Sequence, residues 1–380
     1  MTPTPSTVIA GGGIGGLTAA LTLQRCGIEA TVLEKAPALK PLGVGINLLP
    51  HAVRELDTLG LGDALAAISV APEAISYYTS DGTHLYREPR GIDGGHTHPQ
   101  RSVHRGRLHA LLVNAVTERL GQTAIRCGAG LTGFTQTRDG VVAHTATGDL
   151  RADVLVGADG INSVVRSHLH PGPDPLLWSG VRMYRGAARM AAFLDGQTMA
   201  IVHGPDGVVL VTYPIGDGLV NWVLQVDDHP AGPLPGYARW NRPADPDLVA
   251  THVAGWKLGW LDAASLPGLS EQVFEYPMVD RDSLPHWGSG AVTLLGDAAH
   301  PMYPVGANGA SQAIVDARVL ADELSRDPRQ GLRRYEQRRR VATAEVIAAN
   351  RRMHHAGTET TQDIARVTAR YRADTERSHS

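Results

Sequence analysis

The sequence predicts an α/β fold: a mostly parallel sheet with βαβ crossovers, interleaved with an antiparallel sheet and closed by C-terminal helices. Three observations predict it. Thr7–Lys35, TVIAGGGIGGLTAALTLQRCGIEATVLEK, reads as strand, glycine turn, helix and second strand. Two later apolar runs, Asp153–Gly157 and Val292–Leu295, also end in glycine–acid turns, Asp159-Gly160 and Gly296-Asp297. Between Pro171 and Tyr276 the apolar period becomes two, with frequent proline and tryptophan, as in an antiparallel sheet. The expected division is a discontinuous first domain over 1–71, 101–175 and 277–330, a second over 72–100 and 176–276, and a helical segment over 331–380.

In the first unit, Gly11-x-Gly13-x-x-Gly16 opens a helix with Leu17, Ala20, Leu21 and Gln24 on one face. The three glycines serve different ends. Gly11 turns the chain, Gly13 admits a pyrophosphate to the backbone, and Gly16 lets helix and strand pack closely. Gly27 ends the helix, and the second strand ends in Glu34, 18 residues beyond Gly16, where a carboxylate meets a ribose. In this context the spacing marks a Rossmann-like dinucleotide site.

Composition excludes several function classes. A net charge of -3 over 380 residues gives no global field for nucleic acid or anionic membrane. The run Arg333-Arg334 to Arg338-Arg339-Arg340, interspersed with Glu336, reads as a solvated helix face. Two isolated cysteines, Cys26 and Cys127, make no redox dithiol, and no metal is expected. With no secretory start and no apolar run near ~18 residues, a soluble cytoplasmic protein, monomeric or homodimeric, is the expectation.

In chain order, Pro41–Ile46 is a glycine-punctuated loop, either a tight turn or backbone lying against a flat ligand. Helices are expected over His51–Leu59 and Asp63–Ile68, then a β-hairpin: EAISYYT from Glu73, a turn at Ser80-Asp81-Gly82, and HLYRE. A long helix follows from Arg105 to the stop at Gly121, and strands near Ala124–Cys127, Leu131–Thr137 and Val141–Ala146. Asp159-Gly160 places an acid and backbone N–H groups at a sheet's carboxyl end, serving a ligand or capping the next helix. In the alternating region Val208–Tyr213 and Leu219–Val226 are strands, and Tyr184, Tyr213 and Trp222 either line a pocket for a planar ligand or pack the sheet. After Gly296-Asp297, a loop to Gly309 leads into a helix near Ser311, with Ala313, Ala317, Leu320 and Leu324 inward; its N-terminus suits a group that becomes anionic. Beyond Pro328 the chain is expected to be helical, fraying from Arg372.

The three glycine motifs, in this order over Ser6–Leu324, resemble the flavoprotein aromatic hydroxylases of the para-hydroxybenzoate hydroxylase type. Within that family the likeness is greatest to the phenazine hydroxylase branch of pyocyanin biosynthesis. It is carried by PLGVGIN (Pro41–Asn47), HRG (His104–Gly106), YPMVDRD (Tyr276–Asp282), LPHWG (Leu284–Gly288) and GANGASQAI (Gly306–Ile314). The resemblance implies an FAD-dependent, NAD(P)H-consuming monooxygenase that hydroxylates an aromatic substrate with O2 through a flavin C4a-hydroperoxide.

The resemblance also implies the site. Gly11, Gly13, Ile14, Gly15 and Gly16 would cradle the FAD pyrophosphate. Glu34, with Lys35 beside it, would meet the adenosine ribose, and Arg105, in Arg-x-x-Leu with Leu108, the phosphate or ribityl region. Asp159 and Gly160 form a fingerprint tied to FAD and nicotinamide cofactor, and Gly296-Asp297 would bind the ribityl hydroxyls. Gly45, Pro304, Gly306, Ala307, Asn308 and Gly309 would flank the isoalloxazine. Lys40 stands where many relatives carry arginine. No second βαβ unit is present for NAD(P)H, in keeping with a transient NADH or NADPH reductant.

Substrate is less defined. The phenazine likeness implies decarboxylative hydroxylation in secondary metabolism, although attack at a hydrogen-bearing ring carbon uses the same machinery. Arg185 beside Tyr184 is a cationic donor to a substrate carboxylate, or a surface or sheet-edge arginine. His51 and Tyr213 are proton acceptors or structural residues. A flavin oxidase or dehydrogenase without oxygen transfer, and a non-catalytic FAD- or aromatic-binding protein, are the competing readings.

Overall fold

Strand Ser6–Ala10 lies at the centre of a five-stranded parallel sheet ordered Val292–Leu294, Val154–Gly157, Ser6–Ala10, Glu29–Glu34, Ile125–Cys127. This computed structural model describes residues 5–41, 43–236, 242–356, 362, 365, 366 and 368–370; Leu42 and the tail from Arg372 lie outside them. Helix Ile14–Arg25 packs on one face of the sheet, and helix Val164–Leu169 with strands Gly140–Thr145 and Leu150–Ala152 on the other, so its central strands are apolar, and Val8, Ile9, Ala10, Leu155 and Val156 are buried.

The helices are α1 (Ile14–Arg25), α2 (Pro50–Thr58), α3 (Gly62–Ala67), α4 (Arg105–Leu120), α5 (Val164–Leu169), α6 (Pro246–Thr251), α7 (Asn308–Arg326) and α8 (Gly331–His354). α1 packs between α4 and α7, and α8 packs on α7. Strands Leu131–Thr137, Gly140–Thr145 and Leu150–Ala152 form a small antiparallel meander, and Gly45–Leu48, Arg101–His104 and Ser69–Val70 another small sheet.

The alternating region forms most of a nine-stranded sheet. Its long strands are Ser270–Asp280, Leu177–Arg189, Leu219–Asp227, Val209–Pro214 and Thr198–His203, in that spatial order. The early hairpin, Ala74–Thr79 and His84–Pro89, joins the far side through a parallel pairing with Thr198–His203. Strand Ser270–Asp280 runs past residue 277, so the boundary expected there falls inside a strand. Residues on one face, among them Trp222, Leu224 and Tyr184, pack against the segment around α6. The opposite face looks toward the parallel sheet, and the Gly45 amide donates to Asn221 Oδ1 across the gap at 2.7 Å.

The arginine run departs from expectation. Arg334 and Arg338 reach Glu323 from the surface, but Arg339 is only 3% exposed and lies inside the molecule. Among the described residues no helix is long and apolar enough to cross a membrane.

Candidate active site

The glycine turn is built by close approaches that exclude side chains. Gly11 has φ +107°, and a Cβ there would lie 2.3 Å from the Ala158 carbonyl oxygen, so the first and second glycine motifs abut. A Cβ on Gly16 would lie 2.0 Å from the Gly11 carbonyl oxygen. Gly15 meets Leu295 and Ala313, which seats α1 against the third motif and α7, and Ile14 is buried in the core. Gly13 has nothing within 4 Å of its Cβ position, and no side chain caps α1. An open face on an uncapped helix start is the shape a pyrophosphate requires.

Glu34 accepts from the Gly12 amide at 2.9 Å and the Ala36 amide at 2.8 Å, holding the turn against the strand tip. A carboxylate offers about four acceptor positions, so capacity for ribose hydroxyls remains. His109, on α4 one turn beyond Arg105, donates from Nε2 to the Gly12 carbonyl at 2.7 Å. Lys35 is exposed, with its Cβ against Gly130.

Asp159 takes the capping option. Its carboxylate accepts from Ser163 Oγ at 2.5 Å and the Val164 amide at 2.7 Å, closing the start of α5. Burial raises its pKa, and these hydrogen bonds oppose the rise. Gly160, at φ +77°, continues the turn. What this motif turns toward Gly11 is backbone, not the acid.

Asp297 follows strand Val292–Leu294 in a single 3₁₀ turn. Solvent reaches its side chain, yet surrounding protein desolvates it and raises its pKa, against the pull of His300 and Arg105. A group both accessible and crowded lines a deep cleft. The turn is fixed on each side: the Gly296 amide donates to Asp316 Oδ2 at 3.1 Å, and Arg166 Nη1 donates to the carbonyls of Ala298 and Ala299 at 3.1 and 2.9 Å.

Pro304–Asn308 borders the same cleft. Gly306 has φ 71°, and Ala307 is left-handed at φ 60°, an uncommon state for a residue with a side chain. α7 therefore begins at Asn308, three residues before the expected Ser311, with no side-chain cap. Its Gly309 lies beside Asp297, 3.9 Å from Cβ position to Oδ1.

Arg105, Arg185 and Asp297 interact electrostatically: burial lowers the Arg105 pKa, Arg185 adds to this, and Asp297 opposes it. Arg185 lies 4.1 Å over the Tyr276 ring. Tyr213 shares that face of the sheet but is 5% exposed and packed among Ile75, Tyr77, Met199 and Ile215. Tyr184 corrects the expectation, because strand alternation turns it to the other face, into the Trp222 cluster and against His252. Trp222 lies there too, its Nε1 donating to Ser270 Oγ at 2.9 Å. His51, second residue of α2, is half-buried.

Sequence reasoning missed His109, Arg166, Tyr276 and Asp316. Only His109 left a signal, its four-residue spacing from Arg105 on one helix. The open glycine face, the accessible acids Glu34 and Asp297, and an uncapped α7 converging on one cleft fit a flavin dinucleotide.

Comparison with known proteins agrees. The family model described as an FAD binding domain matches residues 4–350. The phenazine 1,6-dicarboxylic acid hydroxylase of Lysobacter antibioticus is 45% identical, over 98% of this chain and 97% of that one. The 3-amino-4-hydroxybenzoate 2-monooxygenase of Streptomyces platensis is 37% identical, over 92% and 88%. A salicylate hydroxylase solved with its substrate shares the fold at TM-score 0.78 and 23% identity, over 100% of this chain and 99% of that one.

Proposed function

The chain belongs to the FAD-dependent aromatic hydroxylases, the group A flavin monooxygenases, and from that membership we propose that it acts on a phenazine-type aromatic carboxylic acid gripped by Arg185. Bound in the cleft, FAD reduced by NAD(P)H supplies the activation of O2 and the transfer of one oxygen atom to a ring. The protein holds the parts in place. Glu34 and Asp297 would accept hydrogen bonds from hydroxyls along the cofactor, the open side of Gly13 would take its pyrophosphate, and the start of α7 would offer backbone N–H groups where negative charge develops.

One observation carries the substrate assignment. Arg185 stands in the cleft over Tyr276, on the side of the nine-stranded sheet that faces Asp297 and Arg105. A guanidinium already braced by an aromatic face is prepared for a carboxylate, and a flat polycycle suits the partly exposed ring of Tyr276. The identity to a dicarboxylic acid hydroxylase favours an acid with one carboxylate to be held and a second to be replaced. In that reaction the ring carboxylate leaves as CO2, one atom of O2 enters the ring, the other leaves as water, and NAD(P)H gives two electrons. Burial raises the pKa of Tyr213, which favours its structural reading over that of a proton acceptor.

The test is NADH and NADPH oxidation by the yellow protein against phenazine carboxylates, salicylate and simple phenols, with product mass recorded. Stimulation by phenazine acids with a product about 28 mass units lighter supports the full reading, whereas a gain of about 16 reassigns the attacked carbon. Stimulation by neutral phenols alone overturns the carboxylate assignment.

A further inference from the structure

One buried arginine of the C-terminal helix reaches two loops that border the flavin cleft. Arg339 Nε donates to Asp316 Oδ1 at 2.7 Å, and the other oxygen of Asp316 accepts from the Gly296 amide at 3.1 Å and from His300 Nε2 at 2.6 Å. Through Nη2 the same guanidinium donates to Gln312 Oε1. Gln312 Nε2 then donates to Asn308 Oδ1 at 3.4 Å, and Asn308 Nδ2 to the Gly306 carbonyl at 3.3 Å. One branch ends on the residue before Asp297, the other on the left-handed turn that starts α7. Asp316, Gln312 and Asn308 are all 0% exposed, so no water competes for these bonds.

Fold stability alone does not call for this arrangement. A buried ion pair is costly to assemble, and apolar residues of similar volume often serve as well. Here the pair meets two loops that both border the cleft. The turn it holds at Gly306-Ala307 is strained, with Ala307 at φ 60°.

We propose that Arg339, Asp316 and Gln312 are positioning residues that fix the Asp297 turn and the start of α7 relative to each other, and thereby set the reduction potential of the bound flavin. Asp297 and the uncapped N-terminus of α7 lie side by side at the cleft, the Cβ position of Gly309 3.9 Å from Asp297 Oδ1. Their opposite charges act on the same cofactor, so a small change in their separation alters how well the protein tolerates the negative charge of the reduced form. Releasing the α7 branch moves its positive end away and lowers the potential. The inference rests on the flavin-binding half of the proposed function and is independent of the substrate.

Two variants test it on the FAD-loaded protein without any aromatic substrate. Gln312→Met removes the α7 branch and leaves Arg339–Asp316 intact. Arg339→Lys keeps the charge for Asp316 but lacks the fork that reaches Gln312 at the same time. The expected result is a tenfold shift toward oxidised flavin in both, about 30 mV for a two-electron couple, with an altered flavin absorbance band. Wild-type potential and spectrum in both variants overturn the proposal. So does a loss of FAD affinity or melting temperature with the potential unchanged, which marks a purely structural role.

Discussion

His109 Nε2 donates to the carbonyl of Gly12 at 2.7 Å across 97 residues of sequence, while the Gly12 amide donates to Glu34. The residue between the first two motif glycines is thus gripped at both its amide and its carbonyl. A turn held this way does not have to be ordered by the cofactor when it binds, which lowers the entropic cost of binding. His109→Ala should weaken FAD binding about fivefold to tenfold, the worth of about 1 kcal/mol for one buried hydrogen bond. Fluorescence titration of apoprotein with FAD measures it, and His109→Gln, which keeps a donor, should recover part of the loss.

The glycines separate by what surrounds them. Gly11→Ala and Gly16→Ala put a Cβ at 2.3 and 2.0 Å from backbone oxygens, so both should lose FAD and lower the melting temperature of the apoprotein. Gly13→Ala meets open space. It should leave the apoprotein melting temperature nearly unchanged while reducing FAD retention, because the added methyl occupies the face left for phosphate. Equal melting losses in all three variants would contradict this division.

Asp297→Ala removes an acceptor from a desolvated cleft without opening the core, since solvent already reaches the side chain. The expected loss in FAD affinity is about 1.5–3 kcal/mol, a charge-assisted hydrogen bond. Equilibrium dialysis of FAD against the folded variant decides it; retention equal to wild type removes Asp297 from the cofactor site.

Arg185→Ala should raise KM for an aromatic acid about tenfold to hundredfold, a loss of about 1.5–3 kcal/mol, and leave FAD content unchanged. Tyr276→Leu should produce a smaller rise, because the guanidinium keeps its charge and loses its brace. Steady-state kinetics with an acid and its methyl ester separate the two: the ester should respond little to either change.

The fold was legible because parallel strands buried on both faces must be apolar throughout, and the turns that leave them need glycine where backbone meets backbone. Ser6–Ala10, Val154–Gly157 and Val292–Leu294 all announce themselves in this way. The glycine turns, and the acids Glu34 and Asp297 at the strand tips, were legible because their spacing follows from local geometry. Orientation across the nine-stranded sheet was not. Tyr184 and Arg185 are neighbours in sequence on opposite faces, and nothing in an alternating strand says which parity meets the cleft. Asp159 reads in sequence as a cap or a ligand-binding acid, and its capping bonds come to light only with the positions of Ser163 and Val164. Arg339 is indistinguishable in sequence from the solvated arginines on either side of it, because its burial is decided by Asp316 and Gln312 on a different helix.

Acid stability follows from the histidines. Burial lowers the pKa of His104, His109, His170, His203 and His354 below the ordinary value of 6.5. In the unfolded chain these groups take up protons as the pH falls through 6.5, whereas in the folded chain they remain neutral to lower pH. The unfolded state therefore binds more protons there, and stability must fall as pH decreases below 6.5. Asp159, Asp280 and Asp297, whose pKa values are raised, act in the opposite sense, but around and above the ordinary carboxylate value of 3.8. Chemical denaturation of the apoprotein should therefore show its midpoint falling from pH 7 to pH 5.5. His203→Gln should flatten that slope, because one of the contributing groups no longer titrates. A midpoint independent of pH across that window would mean that the five rings are protonated in the native state, contrary to their burial.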